Sequence, residues 1–186
     1  MTPLTALWLP ILLSAVFVFI ASSIVHMAPL WHRSDYPRLP NEDAVMDALR
    51  PLSLPRGDHF MPRAKSGAEM RTPEFKAKIE RGPVVLMTVM PGSGMSMTRN
   101  FILWFIHLLV IGLFSAYIAS RALPPGAPAI NVFRFAGATA FIAHVVALWA
   151  QAIWYYRSWS MTIKETIDGA IYAVVTAATF AWLWPH

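Results

Sequence analysis

The chain has 186 residues and a mass of 20.8 kDa, the size of one domain. Yet 56% of it is apolar and only 13% is charged, against roughly 25% charged in an average soluble domain. Nineteen of the charged side chains, eleven basic and eight acidic, lie between Arg33 and Arg99, and the rest of the chain shares six. That distribution excludes an ordinary globular protein. The high hydropathy and the small net charge of +5 exclude a disordered chain. A polytopic membrane protein remains, with the lipid bilayer as its first partner. Cysteine is absent, so disulfides, thiolate zinc sites, iron-sulfur clusters and a cysteine nucleophile are excluded too. The basic residues of the central segment are interleaved with acids, so the pI near 9.9 reads as a positive-inside signal, and no nucleic-acid partner is expected.

The first 32 residues carry no Asp, Glu, Lys or Arg and so lack the basic start of a signal peptide. A retained helix over about 4–28 is expected, with Pro10 near its start and Pro29 stopping it. The segment 33–99 follows as an extramembrane loop. Within it Asn41 is placed to cap a short helix that opens with Glu42 and Asp43 and carries Val45, Leu49 and Leu52 on one face. Thr72, Pro73 and Glu74 start a second, with Phe75 and Ile79 one turn apart and Gly82-Pro83 as the stop. The apolar run from Val84 to Met90 fits either a strand or an interfacial, partly re-entrant segment.

Three further, largely uncharged stretches reach the roughly 20 residues that ~30 Å of hydrocarbon requires. They predict helices over 100–120, 133–156 and 162–184, the last holding Lys164 and Glu165 at the headgroup level. Trp8, Tyr117, Trp182 and Trp184 are expected at one interface, and Trp31, Trp104, Trp154, Tyr155, Tyr156 and Trp159 at the other. The loop side holds thirteen Lys and Arg, whereas the side of both termini holds two, Arg121 and Arg134. By the positive-inside rule the loop is cytoplasmic and both termini are outside. The expected architecture is an all-α single membrane domain over 1–186. Four transmembrane helices form a tight bundle, and two short amphipathic helices sit in the long loop between the first two.

Lipid tails are as apolar as Leu, so helix association depends on close approach at small residues. Gly112 and Ala116 on the second helix and Gly169, Ala173, Ala177 and Ala181 on the fourth supply them. The third and fourth helices are joined by a short turn. Pairing residues equally distant from Ser160 sets Gln151 near Asp168 and His144 near Thr176. With Tyr172 these residues make a polar seam, read either as interhelical hydrogen bonding or as a proton or substrate relay.

Two other sets of residues suggest ligands. His107 and His144 are the histidines well inside helices and suit a haem held between facing helices. An expected depth offset of roughly 7 Å counts against that pairing, and no cofactor is expected. Met87, Met90, Met95 and Met97 flank a Pro-Gly-Ser-Gly turn and could offer thioethers to Cu(I). The zinc-protease, nucleophile-elbow and phosphate-loop motifs are all absent, so no enzyme is expected.

The segments LPNEDAVMDALR from Leu39, GPVVLM…MP from Gly82 and DGAIYAVVTAATFAWLWP from Asp168 resemble a group of small, uncharacterised, multi-pass bacterial inner-membrane proteins with no assigned activity. The resemblance implies a location and a helix count, and brings no functional residues. The expected function is that of a non-catalytic accessory or interaction subunit with a membrane-protein partner or a second copy of itself. The alternatives are a small transporter or copper-handling protein and, third, a haem-binding cytochrome.

Overall fold

The computed structural model describes every residue except 28–30 and 93–95. The expected stop at Pro29 and the Met95 of the methionine cluster therefore lie outside the described residues. In chain order the helices are α1 (Trp8–Met27), α2 (Glu42–Leu49), α3 (Pro73–Arg81), α4 (Met97–Ala122), α5 (Ala129–Phe141), α6 (Ala147–Tyr155) and α7 (Trp159–Trp182). Two strands, β1 (Gly57–Met61) and β2 (Val85–Val89), lie between α2 and α4. Three helical stretches, Leu4–Met27, Met97–Ala122 and Ala129–Tyr155, are long and apolar enough to cross a membrane. The chain divides into two compact units, one of residues 1–37 and 97–186 and one of residues 38–96, so the loop expected inside a single domain is a unit of its own.

In the first unit α1 packs on α4 and α7, and α5 packs on the same two helices. Small residues set the spacing. A Cβ on Gly112 would stand 3.3 Å from the Ile11 carbonyl oxygen and the Ser14 hydroxyl of α1, and one on Gly137 would come within 2.9 Å of the Ala177 methyl. A methyl on Gly169 would overlap the Val145 side chain. Ala116, Ala173 and Ala177 are buried, and Ala181 packs half-buried against the same core. At one end of the bundle Leu7, Val132 and Phe180 meet without exposure, and at the other Val18, Leu108 and Tyr172 pack together.

Both chain ends are fastened to the turn between α4 and α5. The Thr2 hydroxyl donates to the Leu123 carbonyl at 3.0 Å, and the Trp184 indole N–H to the Pro124 carbonyl at 3.0 Å. Trp184 is 3% exposed, because the chain past α7 folds back over that turn.

Residues 142–146 between α5 and α6 form a π-helical segment, which takes in one residue more than an α-turn. The connection to α7 is also earlier than expected, since α6 ends at Tyr155 and Tyr156 adopts a left-handed φ of 53°. The stretch Ala129–Tyr155 runs on as one rod, and together these features shift its register against α7. The Trp149 indole donates to the Thr166 hydroxyl at 3.1 Å, and His144 lies against Gly169. The pairing about Ser160 is thus corrected by about one and a half to two turns, since it set His144 opposite Thr176 and His144 meets Gly169.

In the 38–96 unit, α3 begins as its sequence dictates. The Thr72 hydroxyl accepts from the Phe75 N–H at 3.2 Å, Pro73 occupies the first turn, and Phe75 is buried. Asn41 does not cap α2. It takes a left-handed φ of 54° with no side-chain cap bond, which leaves Glu42 and Asp43 to complement the helix dipole. The run from Val84 is a strand over Val85–Val89, antiparallel to β1, with Gly57 opposite Val89, His59 opposite Met87 and Met61 opposite Val85.

Candidate metal centre

Where α1 ends and α7 begins, five ionisable side chains and an indole converge. His26 is in the last turn of α1, Trp31, His32 and Asp35 follow it, and Lys164 and Asp168 lie one turn apart on α7. The His26 Nδ1 is 2.9 Å from the Ser22 carbonyl. A carbonyl only accepts, so Nδ1 carries the proton and the neutral ring's lone pair is on Nε2. The His32 Nδ1 is 2.6 Å from Asp35 Oδ2, and an ionised carboxylate likewise only accepts, so His32 too presents Nε2. The two rings stack, with centroids 4.6 Å apart and planes at 14°.

Asp35 is itself held. Lys164 donates to its Oδ1 at 2.7 Å and to the Ser34 hydroxyl at 2.9 Å. Burial works against the Asp35 carboxylate, but the hydrogen bonds and charges of Lys164 and His32 outweigh it and keep the pKa below the usual value.

Asp168 is 3% exposed. Its Oδ1 accepts from the Trp31 indole at 3.0 Å, and its Oδ2 is 3.0 Å from His32 Nε2. That second approach is close but poorly aligned, and Nε2 is buried without a hydrogen-bond partner. Two lone-pair-bearing atoms at that distance repel unless a proton on Nε2, which makes the contact an ion pair, or a metal cation stands between them. Donors ~2.0–2.2 Å from a shared metal lie about 3 Å apart when they subtend roughly a right angle at it. The donor atoms of His26, His32 and Asp168 all lie within 4.8 Å of one another. Two imidazoles and a carboxylate suit a divalent first-row transition metal better than Cu(I), which prefers sulfur. The supporting hydrogen bonds from each Nδ1 fix the tautomer and ring direction, as the outer shell of a metal site does.

A cavity of about 330 Å³ adjoins the centre, with His26 and Asp168 among its walls. Opposite them stand Trp104, His107, His144 and Tyr172. Trp104 stacks on His107 at 5.3 Å and donates to the Ser22 hydroxyl at 3.0 Å. The His107 and His144 rings are 6.2 Å apart, edge to face. His144 also meets Tyr172 at 5.4 Å.

The residues of the expected seam are thus divided. His144 and Tyr172 come together, Asp168 turns to Trp31 and His32, and the Thr176 hydroxyl donates back to the Tyr172 carbonyl. Gln151 is exposed. Met87 is on β2, Met90 is exposed just beyond it, and Met97 opens α4 in the other unit. His26 and His32 were missed from sequence, although His26, Trp31, His32 and Asp35 are four chemistry-bearing residues within ten positions of a helix end. No protein family matches the chain, nor does any curated protein or solved structure.

Proposed function

We propose that the chain is a four-helix, multi-pass inner-membrane protein that handles metal, binding a divalent transition ion through His26, His32 and Asp168. Packing of α7 against α1 and α5, both in stretches apolar enough to cross, supports a fourth crossing. The excess of Lys and Arg in 33–99 supports a cytoplasmic loop. The observation that carries the metal reading is the buried, unpartnered His32 Nε2 beside the Asp168 carboxylate.

Chelator-stripped protein in detergent, titrated with Co²⁺ or Zn²⁺, should take up one equivalent. His26→Leu, His32→Leu and Asp168→Asn should each weaken binding at least a hundredfold, whereas replacing Met87 and Met97 together by Leu should not change it. Unaltered affinity in Asp168→Asn would falsify the assignment.

A further inference from the structure

We infer that this centre is open to a second molecule, an amphipathic acyl compound that brings an oxygen donor to the metal and lays its apolar body in the adjoining cavity. The inference rests on the metal reading above. Three protein donors leave at least one position of a divalent ion unfilled, the arrangement of exchanging rather than closed sites. Two of the three, His26 and Asp168, are also cavity walls, so the space beside the donor set is the cavity itself. Glu165 also lines the cavity, but an ion pair with Arg157 at 3.9 Å engages it.

The chemistry of the walls selects the ligand. Trp104, His144 and Tyr172 line it with aromatic rings, and among the described residues neither Lys nor Arg contributes to the lining. An acidic head therefore meets no Lys or Arg there, and the metal is the cation that holds it. The volume is at the small end of ligand sites, ~300–1,000 Å³, and suits a medium-length chain. Ala143 and Ala147 line the cavity from a helical stretch apolar enough to span, and both are exposed. The rim they form faces the bilayer and gives a lipid-borne molecule a lateral way in.

The test uses Co²⁺-loaded full-length protein in detergent, with octanohydroxamate and acetohydroxamate as probes and the cobalt visible spectrum as readout. Octanohydroxamate should shift the spectrum saturably, at least tenfold more tightly than acetohydroxamate, and should not bind the metal-free protein. Trp104→Ala should reduce that chain-length preference to threefold or less without changing Co²⁺ affinity. Ala147→Phe, which narrows the rim without touching the donors, should do the same if Trp104→Ala does not fold. A cobalt spectrum indifferent to both hydroxamates would mean a closed centre and overturn the inference while the metal reading stands. Equal affinity for the two probes in the native protein would overturn the part assigned to the cavity. Absence of any cobalt spectrum would overturn the metal reading itself and this inference with it.

Discussion

His32 holds two carboxylates that differ in role although they touch the same ring. Asp35 fixes Nδ1 at 2.6 Å and is braced by Lys164, whereas Asp168 faces Nε2. Asp35 therefore orients and Asp168 binds. Asp35→Asn should weaken Co²⁺ binding by about 10–100-fold, the usual effect of losing an outer-shell partner, with helix content unchanged by circular dichroism. A loss as large as that of Asp168→Asn would give Asp35 a place in the donor set instead. At Gly169 the reasoning is steric. A methyl there would overlap Val145 and press on the His144 Cβ at 3.2 Å, so Gly169→Ala should destabilise by about 1–3 kcal/mol. Thermal unfolding in detergent would show it, with Gly67→Ala, which meets nothing within 4 Å, as the control. At this scale the sequence revealed Asp168, Tyr172 and His144 as polar residues in apolar helices. It did not reveal His26 or His32, since a histidine at or past a helix end is ordinarily wet and the partner here is some 140 positions away in sequence.

Among the elements, the π-helical segment 142–146 has the least visible origin, because IAHVV contains neither Pro nor Gly and reads as ordinary apolar helix. It nevertheless decides which residues of the rod meet α7. Inserting one alanine after Val146, which is 47% exposed, adds a residue that the π-turn has not already absorbed and should turn α6 by about 100°. The bond from Trp149 to Thr166 would be lost, and Ala147 would leave the cavity wall. The metal donors are on α1, the segment after it and α7, so Co²⁺ affinity should stay within threefold while octanohydroxamate binding disappears. Loss of both together would mean that α6 supports the donors as well. The hairpin shows a related limit. Its first strand, GDHFM, begins with residues depleted in strands and is recognisable only through its pairing with β2. In contrast, Thr72-Pro73 marked the start of α3 unaided, because a hydroxyl cap and a proline at the first position act within one turn.

For the molecule as a whole, the proposed orientation is testable by fusing alkaline phosphatase at His186 and at Ser66. Activity is expected only at His186, and the reverse pattern would put the loop outside. The helical character of the chain and the three stretches apolar enough to cross were legible because charge is so unevenly distributed along it, and the contacts among the helices were not. The placement of charge on α7 also bears on how the protein is made. This helix carries Lys164, Glu165 and Asp168 in its first half and is not among the stretches apolar enough to span by composition. Lys164 and Asp168 find their partners in Ser34, Asp35, Trp31 and His32, which leave the ribosome more than a hundred residues earlier. On the four-helix reading proposed above, α7 thus enters the bilayer after its neutralising groups are already in position, and its insertion depends on a segment made more than a hundred residues earlier. Replacing Trp31 by Phe and both His32 and Asp35 by Leu in the intact protein should leave α7 open to protease in freshly made membranes while α1 and α4 remain protected.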